Sequence, residues 1–177
     1  MEHELENSWT LYVTKQRTVQ GFEKSKQEWE DRLANIHTFI TAESFWSVNN
    51  NLRSPSEMTN DRGDYYLFKD KILPEWEDPL NVGGGSLILN FDPFKVDEVW
   101  NNLQMSLIGN FFPEYSQFVC GAELAIRKNR FKIAVWVSNA DSDVVKKLSI
   151  QIKSVIEVIS IEFRRHASGD KIEFSIK

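Results

Sequence analysis

The 177-residue sequence contains one cysteine, Cys120. A single thiol makes no internal disulfide and falls short of a structural zinc site. The chain therefore suits a reducing compartment, with Cys120 read as a small buried hydrophobe rather than a nucleophile. No apolar run approaches the roughly 20 residues that a bilayer-spanning helix needs. The opening Met1-Glu2-His3-Glu4-Leu5-Glu6 is acidic where a secretory leader needs positive charge followed by an apolar stretch. Together these point to the cytoplasm, with the nucleus also open, and to no membrane association. An excess of positive charge is missing too: 21 Lys+Arg stand against 26 Asp+Glu, a net charge of −5. That balance opposes sequence-independent binding along a phosphate backbone and confines any nucleic-acid contact to a local site. Gly83-Gly84-Gly85 lacks the following Lys-Ser/Thr of a phosphate loop, carboxylates do not cluster as a metal-dependent hydrolase requires, and His3, His37 and His166 sit in no catalytic motif. No enzyme, metal or cofactor is expected.

What the chain does have is a globular composition, 41% hydrophobic and 27% charged, with six tryptophans. Without repeats, low-complexity tracts or linkers, residues 1–177 read as one domain. Strand-like runs occur at Trp9 to Val13, His37 to Ile40, Tyr65 to Phe68, Leu87 to Asn90, Phe118 to Ile126, Phe131 to Ser138, Val158 to Phe163 and Lys171 to Ile176. Eight such runs predict one large antiparallel sheet. Three segments carry helical spacing instead. Thr41 can cap the first, where Phe45, Val48 and Leu52 share a face and Trp46 is rotated off it. Asp92-Pro93 opens the second, Val96, Val99, Trp100, Leu103 and Leu107 form its stripe, and Gly109 suits its stop. The third runs from Asp141 to Glu157, with Val145, Leu148, Ile152, Val155 and Ile156 on one side. Helices so placed can all cover one sheet face and leave the other for a ligand, an α+β architecture.

Two constellations carry chemistry. If Lys128-Asn129 is a two-residue turn, Arg127 pairs with Arg130 and Ala125 with Lys132. Arg127, Arg130 and Lys132 then share one face while Leu124, Ile126, Phe131, Ile133 and Val135 face the core. Three cations together suit an anion, with Ala125 leaving room beside Lys132, but a solvated hairpin tip also accounts for them. The second is Pro74-Glu75-Trp76-Glu77-Asp78-Pro79, which holds a tryptophan in a proline-bounded acidic loop, and Trp29 follows a similarly polar run from Glu23 to Glu28. Two loop indoles can sandwich a flat cationic ring, and Glu77 can accept hydrogen bonds from a guanine edge. Taken singly, each tryptophan reads first as a loop anchor packing onto the sheet.

The segments His3-x-Leu5-x-Asn7-x-Trp9, Glu28-Trp29, Phe45-Trp46, Tyr66-Leu67-Phe68-Lys69-Asp70, Pro74-x-Trp76-Glu77-Asp78, Gly84-Gly85, Trp100, Leu107-Ile108-Gly109, Val119-Cys120-Gly121-Ala122 and Lys132-Ile133-Ala134-Val135-Trp136 span nearly the whole chain. In order and spacing they resemble the eukaryotic translation initiation factor 4E family, and tryptophan at both Trp9 and Trp29 resembles its translation-initiation class. The resemblance implies a curved eight-stranded antiparallel sheet with three helices on the convex face and an mRNA cap pocket on the concave face. It further implies that Trp29 and Trp76 sandwich 7-methylguanine, that Glu77 reads the base edge, and that Arg127 and Lys132 hold the triphosphate. Asn129 stands where the family often has a basic residue, and Arg130 is the neighbouring substitute. Ser86-Leu87 replaces a common Arg-Trp. The implied partners are capped mRNA and, for a monomer, an initiation factor 4G-like scaffold or a 4E-binding inhibitory protein, met on a helical surface of Ala42, Trp46, Asn101, Asn102, Met105 and Gly109. Asn101-Asn102 is usually Leu-Glu there and Met105 usually Leu, which leaves a cap-bound repressor as the alternative. The short loop Ala167-Ser168-Gly169-Asp170 has no counterpart of the family's regulatory serine.

Overall fold

Alternation along the strands gives the sheet two unlike faces. The computed structural model describes residues 2–14, 30–58, 62–128, 130–169 and 171–177. Trp29, the polar run before it, Asn129 and Asp170 lie outside the described residues. Strands β1 (Glu4–Thr14), β2 (Leu33–Thr41), β3 (Arg62–Lys69), β4 (Gly85–Asn90), β5 (Val119–Arg127), β6 (Arg130–Val137), β7 (Ser160–Arg165) and β8 (Ile172–Ile176) form one sheet. Their order is β2-β1-β3-β5-β6-β4-β7-β8, with every neighbouring pair antiparallel. Leu11, Leu67, Leu124, Ile133, Leu87 and Ile161 point to one side, where they join Phe45 of α1 (Ala42–Asn49), Leu103 of α2 (Val96–Ile108) and Leu148 of α3 (Ser142–Val155) in one core. Among the described residues, these three helices therefore cover the same face of the curved sheet, as expected. Each fully buried Leu, Ile or Phe contributes about 1.5–3 kcal/mol, so this side dominates stability. The opposite face carries a smaller cluster of Tyr12, Tyr66, Phe68, Ile72 and Cys120 beside buried polar groups, among them Asp64, Ser86 and Glu123. Among the described residues no helix is long and apolar enough to cross a membrane.

The helix starts follow the local signals. Thr41 Oγ1 accepts from the Ser44 N–H at 3.2 Å. Asp92 Oδ1 accepts from the Phe94 N–H at 3.0 Å, in a 3-10 turn that leads into α2. Asp141 Oδ1 accepts from the N–H groups of Asp143 and Val144. Trp100 and Phe45 are buried, whereas Trp46 is 37% exposed, as its place off the stripe requires. Cys120 is buried, and burial pushes its thiol up to about 12, so it is a packed hydrophobe.

Some details refine or differ from the sequence reading. Gly109 stops α2 as its C-cap, as expected, with φ −79°, and the left-handed residue is the next one, Asn110 (φ 51°). The Phe111 N–H donates to Ser106 O and the Asn110 N–H to Leu107 O, a Schellman closure that an asparagine supports. Strands β1 and β3 begin earlier than expected, at Glu4 and Arg62. Val155 is 44% exposed because α3 ends there, and the extended Ile156 is buried instead. Strand β2 begins four residues before His37; it lies at the sheet edge with 35–37 exposed, so alternation is missing. Ala125, expected to leave room beside Lys132, is itself buried.

Candidate functional site

The β5–β6 hairpin has the expected register, Arg127 opposite Arg130 and Ala125 opposite Lys132. Its turn is made possible by Lys128 at φ 44°. Leu124, Ile126, Ile133 and Val135 are buried in the helix-side core and Phe131 packs against it, so Arg127, Arg130 and Lys132 lie on the opposite face. Two of the three cations already have counter-charges there. Arg127 donates to Asp64 in a fork, Nη1 to Oδ1 at 2.5 Å and Nη2 to Oδ2 at 3.1 Å. Lys132 Nζ donates to both oxygens of Glu123, at 3.1 and 3.0 Å. Both contacts run diagonally across the ladder, the reach that long side chains have in an antiparallel pair. Asp64 and Glu123 are buried while the cations stay half-exposed, at 51% and 46%. The carboxylates therefore orient the two cations and leave their outer sides open to an anion. Bonding to Asp64 raises the Arg127 pKa further, so its charge is permanent. Arg130 is exposed and has no ion pair among the described residues.

Trp76 is 57% exposed and Glu77 is exposed beside it, on the connection between β3 and β4. That connection is held from within. Asp78 accepts from the Leu73 and Leu80 N–H groups at 3.0 and 2.9 Å. The buried Asn81 donates Nδ2–H to Leu73 O and Glu75 O at 2.8 and 2.7 Å. Its own carbonyl accepts from His166 Nδ1 at 2.8 Å, and the His166 N–H donates to Gly84 O at 3.1 Å. A Cβ at Gly84 would lie 1.7 Å from Val137 O, so only glycine brings the loop's end this close to β6. The His166 ring lies 4.5 Å from the Trp136 ring, whose Nε1–H donates to Glu123 at 3.0 Å. Loop, indole, carboxylate and Lys132 thus form one connected set.

Residues 4–175 match the model of the family described as eukaryotic initiation factor 4E. The chain belongs to that family. The tomato eukaryotic translation initiation factor 4E-2 (Solanum lycopersicum) is 40% identical over 180 residues, covering 100% of this chain and 78% of the tomato protein. For the barley factor 4E-1 (Hordeum vulgare) the identity is 38%, over 80% of this chain and 63% of the barley protein. A solved structure of C. elegans eIF4E-3 with the 4E-binding protein Mextli and cap analog superposes with a TM-score of 0.86 at 31% identity, covering 99% of this chain and 100% of that one.

On the helix side, Trp46 is exposed on α1 and Ala42 half-buried in its first turn. Asn101 is exposed on α2, Asn102 and Met105 are half-buried, and Gly109 is exposed at its end. The three cations share one face with the base of the Trp76 loop, and the partner candidates share the two helices. Trp29 lies outside the described residues. Reading the 4E-family sequence alone missed Asp64, Glu123, Asn81 and His166. Alternation places Asp64 and Glu123 on the polar face, and the hairpin register alone sets Glu123 diagonal to Lys132, whereas only the strand order brings Asp64 to Arg127.

Proposed function

We propose that residues 1–177 act as one cap-binding domain in the cytoplasm, binding the 7-methylguanosine triphosphate end of mRNA on the face opposite the helices and recruiting the initiation scaffold through the helices. The observation that carries this is Trp76, an indole 57% exposed on a loop whose backbone is hydrogen-bonded at both ends. A fixed, accessible indole face attracts a flat cationic ring, and N7 methylation makes guanine such a ring. Trp29 supplies the second face, Glu77 accepts from the base edge, and Arg127 and Lys132 hold the triphosphate with Arg130 in place of a basic residue at 129. The cap is bound, not cleaved. The resemblance to a structure holding a cap analog and a 4E-binding protein supports both halves of this reading.

The partner is a helical segment of an initiation factor 4G-like scaffold or of a 4E-binding inhibitor, meeting Ala42, Trp46, Asn101, Asn102, Met105 and Gly109. A cap-bound repressor is the second reading, favoured by the exposed amide of Asn101 where an apolar side chain would bury area against a partner. Immobilised 7-methyl-GTP should retain the chain from native extract, and free cap analogue should elute it together with its partner. Trp46→Ala should still be retained but lose that partner, by roughly thirtyfold or more in affinity for an interface hot spot. Its melting temperature should stay near that of the native chain, because an exposed ring contributes little to the core. No retention of the native chain overturns the cap reading. Retention without any scaffold supports the repressor.

A further inference from the structure

The connection carrying Trp76 and Glu77 is joined to the sheet by a set of side-chain contacts. These include the packing of Ile72 into the cluster of Tyr12, Tyr66, Phe68 and Cys120, the 3.4 Å hydrogen bond from Thr10 Oγ1 to Asp70, and, nearer the loop's end, the 3.7 Å contact from Cys120 Sγ to Leu80 O and the 2.8 Å hydrogen bond between His166 Nδ1 and Asn81 O. The thiol contact is weak, and the His166 bond is short and goes to a fully buried residue. We propose that His166 is a positioning residue for cap binding: through Asn81 O it sets the Trp76–Glu77 loop against the face that holds Trp136, Glu123 and Lys132. The inference rests on the cap-binding reading above.

The protonation pattern follows from the partners. A carbonyl oxygen only accepts, so Nδ1 carries the hydrogen, and Nε2 of the neutral ring accepts from Ser86 Oγ–H at 2.9 Å. Burial lowers the His166 pKa, in keeping with a neutral ring. With both nitrogens engaged, the ring cannot turn without breaking two bonds. One face then fixes Trp136, 4.5 Å away. Trp136 is held at its other end by the Glu123 carboxylate that also holds Lys132. His166 therefore sits between the half of the site that takes the base and the half that takes the phosphates. Its direct hydrogen bonds go to the loop at Asn81 and Gly84 and to Ser86 of β4, and none goes to the cations.

Two near-isosteres separate this role from bulk. Asparagine places its Nδ2–H donor where His166 has Nδ1, and glutamine places its donor near Nε2. The experiment measures affinities for 7-methyl-GTP and 7-methylguanosine, together with amide hydrogen exchange of ligand-free protein. His166→Ala should weaken both ligands by about the same factor, roughly tenfold, because an unpaired Asn81 carbonyl frees the loop and not the cations. Exchange at 80–84 should accelerate while β5 and β6 are unchanged. His166→Asn should restore affinity to within about threefold of native and His166→Gln should not, since only Asn replaces the donor to Asn81. Unchanged affinity in His166→Ala, equal behaviour of the Asn and Gln variants, or a loss that grows with phosphate number would each overturn the assignment. Failure of the native chain to bind 7-methyl-GTP would instead remove the cap reading, and this assignment with it.

Discussion

Trp76→Ala is expected to weaken 7-methyl-GTP binding by roughly a hundredfold and to leave the folded state almost untouched. One indole face contributes about 1–3 kcal/mol by stacking on a base and about 0.5–2 kcal/mol from attraction of the cationic ring. A loss near 2.7 kcal/mol, about a hundredfold, lies inside those sums and in the range of an interface hot spot. The side chain belongs to neither hydrophobic cluster and is 57% exposed. Its removal should therefore cost no more than about 0.5 kcal/mol of stability. Calorimetric titration and a thermal melt on the same preparation check both halves. A melting loss of many degrees would mean that Trp76 anchors the loop, and affinity would then no longer report stacking.

Arg127→Ala should do the reverse of a clean affinity change: it should destabilise the protein by about 2 kcal/mol before any ligand is added. Its partner Asp64 is 7% exposed and loses a two-point ion pair. Orphaning a fully buried charge costs about 3–5 kcal/mol. Arg127 is 51% exposed, so water reaches the vacated carboxylate and the cost is smaller. At about 2–4 °C per kcal/mol for a chain of this size, the melt should shift by roughly 6 °C. Adding Asp64→Asn to Arg127→Ala should recover most of the loss, since the coupling lies in the pair. Lys132→Ala is the cleaner test of phosphate binding, because Glu123 keeps the Trp136 Nε1–H donor at 3.0 Å. It should weaken 7-methyl-GTP by about tenfold and 7-methylguanosine hardly at all, with the difference shrinking as salt rises. Equal losses for nucleoside and triphosphate would show that Lys132 supports the fold and not the phosphates.

Features fixed by near neighbours were legible in the chain. The caps at Thr41, Asp92 and Asp141 act within three residues, and the hairpin register follows from one short turn. The helical stripes separated Phe45 from Trp46 because a helix turns by a constant angle per residue. What stayed hidden depends on strand order. Asp64 reaches Arg127 across 63 positions and Asn81 reaches His166 across 85, through neighbours that only the β3-β5-β6-β4-β7 sequence of strands creates. The three cations therefore read as a free basic patch, when two of them are oriented by buried carboxylates. The start of β2 was also lost, since an edge strand with both sides wet shows no alternation. The stop of α2 at Gly109 was legible as well, while the left-handed turn falls on the next residue, Asn110, a conformation that asparagine tolerates.

The most direct test of the central claim is a side-by-side titration of the native chain with 7-methyl-GTP and unmodified GTP, followed by quenching of tryptophan fluorescence. The two ligands share phosphates, sugar and base edge and differ in the N7 methyl that makes the ring cationic. Stacking between two indoles should favour the methylated ring by on the order of 1–4 kcal/mol, about fivefold to several hundredfold in affinity. One-to-one quenching by 7-methyl-GTP, with GTP requiring at least about five times the concentration, is the expected result. Equal quenching by both nucleotides at equal concentrations would contradict a site built to recognise the methylated cap.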